Sequence, residues 1–149
     1  MRPRILSFER WRRVATPPPR APRVLIVDDD DLFRTFVERV LHDEGYDTSV
    51  ARDGEEALAL ASNGEPFDLL LTDEMMPCIP GHQLARYMRS RQPNIKVLYV
   101  TGYSDRLFGE KQSLWADEAF LEKPCGPAAI LEAASLLLSG AIAVPRTQP

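Results

Sequence analysis

Five polar side chains of this sequence stand at the ends of short apolar segments. They are Asp28, Asp29, Asp73, Thr101 and Lys123. Apolar segments of this length are typical of strands buried in a parallel sheet. Because such sheets place their ligand crevice at the carboxyl ends of the strands, the sequence predicts that these side chains converge at one edge. Carboxylate oxygens suit a magnesium ion, and an ammonium group with a hydroxyl suits a phosphoryl group.

Strand-like and helix-like patterns alternate along the chain from residue 23 onward. The patterns predict strands at about 23–28, 46–51, 67–73, 95–101 and 118–122. Periodicity and end signals predict helices at about 31–44, between Asp53 and Asn63, and at about 82–91, 104–114 and 127–139. Five βα units in series predict an α/β fold with a doubly wound, five-stranded parallel sheet that helices cover on both faces.

Some helix ends and faces can be predicted as well. Asp53 and Glu56 form a capping box at the start of the second helix, and Gly45 suits the end of the first. Two adjacent apolar rows run along the first helix, formed by Leu32, Phe36 and Val40 and by Phe33, Val37 and Leu41. His42 and His82 have no metal-ligand spacing, so we expect them on the surface or in packing contacts.

The charge of the chain is unevenly distributed. Residues 1–23 contain seven arginines and one acid, about +6, so the remainder carries about −10 of the net charge of −4. Prolines 17–19 cannot continue a helix or a central strand. We therefore expect residues 1–22 to be a basic, disordered extension, or else a short amphipathic docking segment, residues 23–140 to fold as one domain, and residues 141–149 to be a tail.

Composition excludes several classes of protein. An acidic domain is a poor duplex-DNA binder, because phosphate contacts need clustered lysine and arginine. No apolar segment approaches the roughly 20 residues of a membrane span, and the arginine-rich N-terminus lacks the apolar core of a secretory signal. Cys78 and Cys125 form no disulfide framework or metal-ligand pattern. We therefore expect a soluble, cytoplasmic protein that binds neither nucleic acid nor membranes.

Four segments together resemble the receiver domain of two-component response regulators. They read VLIVDDD at 24–30, DLLLTDEMMP at 68–77, VTGY at 100–103 and FLEKP at 120–124. They occur in the order and at the spacing of that family, and the resemblance covers most of the chain. The VTGY and FLEKP segments are most similar to receivers attached to, or partnered with, hybrid histidine kinases.

The resemblance implies a fold and a set of partners. The fold is a flavodoxin-like three-layer sandwich with strand order 2-1-3-4-5 and a ligand crevice between strands 1 and 3, a topology that serves as a standard example of such a site. The partner is a histidine kinase or a histidine phosphotransfer protein, and phosphorylation can drive formation of a homodimer. We expect no output domain, and no turnover beyond autodephosphorylation.

The resemblance also assigns roles to the acidic residues. Asp73 is the nucleophile that accepts a phosphoryl group from a phosphohistidine, forming an acyl phosphate. Asp28 and Asp29, together with Asp73 and the backbone carbonyl of Met75, bind Mg²⁺ or Mn²⁺. Three carboxylates this close repel one another, so without a cation at least one should hold its proton more tightly.

Three further residues complete the expected site. Lys123 pairs with the phosphoryl group and stabilises its charge. Thr101 donates its hydroxyl to a phosphoryl oxygen. Phe120 is the switch aromatic, which turns inward when the threonine moves. The surface formed by the predicted helix 104–114, strand 118–122 and helix 127–139 would report the phosphorylated state.

Two other functions remain open on the sequence. The acidic stretch at 28–31 followed by Leu32 approaches the D-x-D-x-(T/V) motif of haloacid-dehalogenase-type phosphatases, in which Asp28 would be the nucleophile. The absence of a β-branched residue at position 32, the short chain and the segment 73–77 argue against this reading. A phosphorylation-independent adapter is the other alternative, although none of the expected acids is missing and Lys123 is present.

Overall fold

The computed structural model describes residues 20–102 and 117–139 and contains a five-stranded parallel sheet of order β2-β1-β3-β4-β5. The strands are β1 (Arg23–Val27), β2 (Asp47–Ala51), β3 (Leu69–Thr72), β4 (Lys96–Thr101) and β5 (Glu118–Glu122). The helices are α1 (Asp31–Asp43), α2 (Gly54–Ser62), α3 (Gly81–Arg91) and α4 (Pro127–Ser139). The predicted fold class and strand order are confirmed.

Three predicted segments lie outside the described residues. They are the extension up to residue 19, the helix at 104–114 and the tail at 141–149. Among the four helices that the structure does describe, none combines the length and the apolar character that crossing a membrane requires.

The sheet buries apolar residues on both faces. Leu25 and Val27 of β1 point into one core cluster, which α2 and α3 cover. Val24 and Ile26 point into the other, which α1 and α4 cover. In β1, β3 and β4, every residue after the first is buried. Because helices cover both faces of the sheet, these strands must be continuously apolar. The carboxyl ends of the strands, where Asp28 and Asp73 follow β1 and β3, are called the acidic edge below.

Helix α1 begins at the acidic edge, and Gly45 follows its C-terminal end, as expected. Asp30 is its N-cap and accepts hydrogen bonds from the N–H groups of Leu32 and Phe33. Gly45 has a φ angle of +103°, the conformation that favours glycine after a helix. One of the two predicted apolar rows does not stay against the sheet over its whole length, because Leu32 is 83% exposed. Leu32 lies in the first turn of α1, where no described element covers it.

The loop between β3 and α3 packs directly against the start of α3. The N–H of Gly81 donates to the carbonyl oxygen of Glu74 at 3.1 Å. A Cβ atom at position 81 would lie 2.2 Å from the carbonyl oxygen of Asp73 and 3.0 Å from its carbonyl carbon. Only glycine therefore allows α3 to approach the residue that ends β3.

We predict that Gly81→Ala destabilises the protein by about 2 kcal/mol or more, because rigid backbone atoms block the new methyl group. The free energy of unfolding in urea measures this effect. Gly64→Ala is the matched control, since a Cβ atom there meets no atom within 4 Å, and it should change stability by less than about 0.5 kcal/mol. Equal stability of the two variants would contradict the predicted close packing.

Candidate functional site

The carboxyl ends of β1 and β3 bring three carboxylates together. Val27 and Thr72 are register partners in these neighbouring strands, so Asp28 and Asp73 each follow by one residue. One carboxylate oxygen from each of Asp28, Asp29 and Asp73 lies within 4.8 Å of the other two. Asp28 and Asp73 are buried, at 1% and 5% exposure, whereas Asp29 is exposed. The predicted convergence of the acids is therefore present in the structure.

Lys123 reaches this acidic cluster from the end of β5. Its Nζ lies 3.0 Å from Oδ2 of Asp28 and 3.4 Å from Oδ2 of Asp73. Its backbone N–H donates to the carbonyl oxygen of Thr101 at 3.0 Å, which fixes the main chain beside β4. The Phe33 ring also contacts the ammonium group, with its centroid 4.3 Å from Nζ. The ammonium group of Lys123 is thus in contact with two carboxylates and an aromatic ring.

The environment changes the protonation equilibria of both partners. Burial raises the pKa of Asp28, and the charge of Asp73 adds to this, although hydrogen bonds from the Asp30 N–H and from Lys123 oppose it. Burial alone would lower the pKa of Lys123, but its hydrogen bond to Asp28 and the charges of Asp28 and Asp73 outweigh burial, so the pKa is raised. The ammonium form of Lys123 is therefore maintained at neutral pH, and the protein disfavours the ionised form of Asp28 relative to a carboxyl group in solvent.

The donor atoms of the cluster fit a hard divalent cation. A cavity of about 570 Å³ opens at the cluster and is lined by Asp29, Asp30, Asp73, Met75, Met76, Pro77 and Lys123. Three carboxylates face one ammonium group, so negative charge exceeds positive charge among these groups. Oxygen donors with excess negative charge are the ligands that magnesium prefers.

Comparison with known proteins agrees with this geometry. A family model for the response regulator receiver domain matches residues 24–135. The chain belongs to this family. The response regulator receiver protein CpdR of Brucella abortus (strain 2308) is 32% identical over 102 residues, which cover 68% of this chain and 84% of CpdR.

A second set of relatives links this receiver domain to hybrid histidine kinases. The sensor kinase CckA of Brucella abortus (strain 2308) is 35% identical over 102 residues, which cover 68% of this chain but only 11% of CckA. A crystal structure of the receiver domain from the hybrid histidine kinase CckA has a TM-score of 0.66 at 32% identity, with 78% of this chain and 98% of that chain covered. The predicted resemblance to receivers of hybrid kinases is confirmed, and the domain is a two-component signalling module.

The two remaining predicted residues of the receiver lie on β4 and β5. Thr101 is fully buried at the end of β4. Phe120 is the register partner of Tyr99, two residues before Thr101, so Phe120 and Thr101 share a sheet face. Phe120 is partly buried against the cluster beneath α2 and α3. Thr101 and Lys123 thus lie at the acidic edge, whereas Phe120 packs lower on the sheet.

Sequence reasoning missed a buried contact between Glu74 and His82, next to Asp73. Glu74 is 1% exposed, and its Oε2 lies 2.7 Å from Nδ1 of His82, while its Oε1 accepts the His82 backbone N–H at 2.9 Å. These contacts connect the residue after Asp73 to the first turn of α3. The only sequence signal was an acid next to the acidic edge and a histidine eight positions later, which is too weak to predict a contact.

We predict that Asp28→Asn stabilises the metal-free protein at pH 7 by about 1 kcal/mol, a common size for one substitution. The raised pKa of Asp28 means that folding disfavours its carboxylate form. This penalty is present above the raised pKa and disappears as the pH falls through it toward 3.8, the ordinary value. The stability gain should therefore shrink as the pH is lowered from about 7 to about 4. Urea unfolding in the presence of EDTA measures it.

The matched control is Asp47→Asn, which changes a largely exposed carboxylate 3.6 Å from Arg23 and should alter stability little. A lower stability of Asp28→Asn at pH 7 would contradict the prediction. It would show that the contact between Asp28 and Lys123 outweighs the burial of the carboxylate.

Proposed function

We propose that this receiver accepts a phosphoryl group on Asp73 from a phosphohistidine of a histidine kinase or histidine phosphotransfer protein. The observation that carries the proposal is the position of Asp73. Its carboxylate lies 3.4 Å from Lys123 Nζ and within 4.8 Å of the carboxylate oxygens of Asp28 and Asp29. An acceptor needs a nucleophile with cationic partners close enough to stabilise the phosphoryl oxygens.

The transfer forms one bond and breaks one. A carboxylate oxygen of Asp73 bonds to phosphorus as the bond from phosphorus to the donor imidazole nitrogen breaks, and that nitrogen keeps the electron pair. Lys123 is placed to contact the transferred phosphoryl oxygens without first moving into the site, since it already contacts Asp73. The N–H of Met75 donates to Oδ1 of Asp73 at 3.2 Å and restrains the orientation of the carboxylate.

A divalent cation completes the proposed site. Asp28, Asp29 and Asp73, with the backbone carbonyl of Met75, would hold Mg²⁺ or Mn²⁺. When bound, the cation neutralises the excess charge of the carboxylates and of the incoming phosphoryl oxygens. Met75 lines the same cavity as Asp29 and Asp73, which supports its inclusion.

The phosphorylated state would be read through β5 and its neighbours. In this proposal the Thr101 hydroxyl binds a phosphoryl oxygen, and Phe120, on the same sheet face, moves inward. The surface of β5 and α4, with the predicted helix at 104–114, would then present a different shape to a target. The domain acts as a switch rather than as an enzyme, with hydrolysis of its own acyl phosphate as its only turnover.

We expect wild-type protein incubated with magnesium and acetyl phosphate to gain one phosphoryl adduct, detected by intact-mass spectrometry. Asp73→Asn should gain none, because the amide is not a competent nucleophile. Lys123→Ala should slow adduct formation by about 100-fold, the usual effect of removing one preorganised charge-stabilising group. Asp43→Asn, an exposed acid near the end of α1, is the control and should behave like wild type.

The other outcomes separate the alternatives. A folded, magnesium-binding wild type without an adduct would indicate an adapter that signals by binding alone. An adduct that persists in Asp73→Asn and disappears in Asp28→Asn would move the nucleophile to the end of β1, as in a haloacid-dehalogenase-type phosphatase.

A further inference from the structure

Arg34 of α1 bridges the two ends of the acidic stretch at 28–31. Its Nη1 donates to the backbone carbonyl oxygen of Asp28 at 2.7 Å, and its Nη2 donates to Oδ1 of Asp31 at 2.5 Å. The Arg34 side chain is only 14% exposed, so its guanidinium is held close to the loop rather than extended into solvent. Neither contact involves the carboxylate of Asp28, Asp29 or Asp73.

The contact between Arg34 and the Asp28 carbonyl also restrains Asp29. The carbonyl of Asp28 and the N–H of Asp29 belong to the same planar peptide group. A guanidinium that fixes the carbonyl oxygen therefore fixes the orientation of the peptide plane from which Asp29 extends. Among the residues that the structure describes, none forms a hydrogen bond or an ion pair with the exposed Asp29 carboxylate itself.

Other hydrogen bonds restrain the rest of this loop, whereas Arg34 binds the peptide group between Asp28 and Asp29. The Asp30 N–H donates to Oδ1 of Asp28 at 2.8 Å, and Oδ1 of Asp30 caps α1. These bonds set the Asp28 side chain and the helix start. The Asp28 N–H, on the other side of the residue, pairs with the Ala51 carbonyl oxygen at 3.2 Å.

We propose that Arg34 is a positioning residue of the magnesium site, holding the peptide between Asp28 and Asp29 so that both carboxylates face the same cation. This inference rests on the proposed function, because it assumes that the acidic cluster binds magnesium. Arg34 does not touch the cation or the phosphoryl group. Its effect passes through the backbone of the two acids.

The charge of Arg34 and its positioning of the ligands have opposite expected effects on magnesium affinity, which makes the proposal testable. The guanidinium is a positive charge beside a cation site, so its charge alone weakens magnesium binding. Its forked hydrogen bonds, by contrast, favour binding by fixing the ligands in place. A variant without Arg34 binds magnesium more tightly if only charge matters and more weakly if position dominates.

The experiment uses the full chain with magnesium alone as the ligand. Isothermal titration calorimetry measures the Kd of Mg²⁺ for wild type, Arg34→Lys and Arg34→Gln. Arg34→Lys keeps the charge but cannot donate to both acceptors in the same geometry, so we expect Kd to rise about fivefold. We expect Arg34→Gln also to bind more weakly than wild type, although it removes a repelling charge.

A second readout does not involve the metal. Hydrogen exchange in EDTA should be faster at the amides of residues 29–31 in both Arg34 variants, because the peptide has lost its fixed acceptor contact. At saturating magnesium, adduct formation from acetyl phosphate should recover toward the wild-type rate, and a small donor avoids any effect on kinase docking. Arg52→Gln, which breaks the exposed contact with Glu56 on α2, is the matched control.

Each result decides the question. An unchanged Kd in Arg34→Lys, or tighter binding in Arg34→Gln, overturns the positioning role. If Arg34→Gln unfolds, the Arg34→Lys titration carries the test, because that variant keeps the charge. Wild type that neither binds magnesium nor forms an adduct overturns the proposed function itself, whereas normal wild type with unaffected Arg34 variants overturns only this inference.

Discussion

Mutual repulsion of three carboxylates within 4.8 Å is the constraint on which the rest of the structure depends. Asp28 and Asp73 are buried, so solvent screens little of that repulsion. Among the described residues, the ammonium of Lys123 and hydrogen bonds such as that from the Asp30 N–H oppose this repulsion. The pKa of Asp28 is raised mainly by its burial and further by the charge of Asp73, so Lys123 and these hydrogen bonds offset the two effects only partly. A site with an unmet demand for positive charge is suited to take up a cation.

The apolar sheet holds the three acids close together despite their repulsion. Strand β1 is hydrogen-bonded on both sides, to β2 and β3, and its residues pack into cores on both faces. The acids therefore stand at the ends of rigid strands, and they cannot relieve their repulsion by moving apart without disturbing that core. The close approach of Gly81 to the Asp73 carbonyl restrains the end of β3 in the same way.

The features that the sequence predicted are those encoded by local patterns. Apolar segments ending in acids located the site, and the cap at Asp53 appears with its bond from the Glu56 N–H at 2.9 Å. The convergence of Lys123 with Asp28, 95 residues away, also followed from its place at a strand end, whereas the strand order followed from the family resemblance. The pair of Glu74 and His82 and the contacts of Arg34 depend on side-chain conformations and packing, which no spacing rule supplies. The expectation for Leu32 was wrong, because periodicity does not show which turns of an apolar helix face another element covers.

Strand β5 connects the acidic edge to the opposite end of the domain. At its start, Glu118 is buried and pairs with Arg89 of α3 at 2.9 Å. Directly after its end, Lys123 is bonded to the Thr101 carbonyl and contacts Asp73. A phosphoryl group on Asp73, as proposed, would redirect the Lys123 contacts at one end of a strand whose other end is anchored. A ligand shifts a conformational equilibrium only through contacts that differ between the two states, and Phe120 lies between these anchors, where such a difference would change the packing of β5.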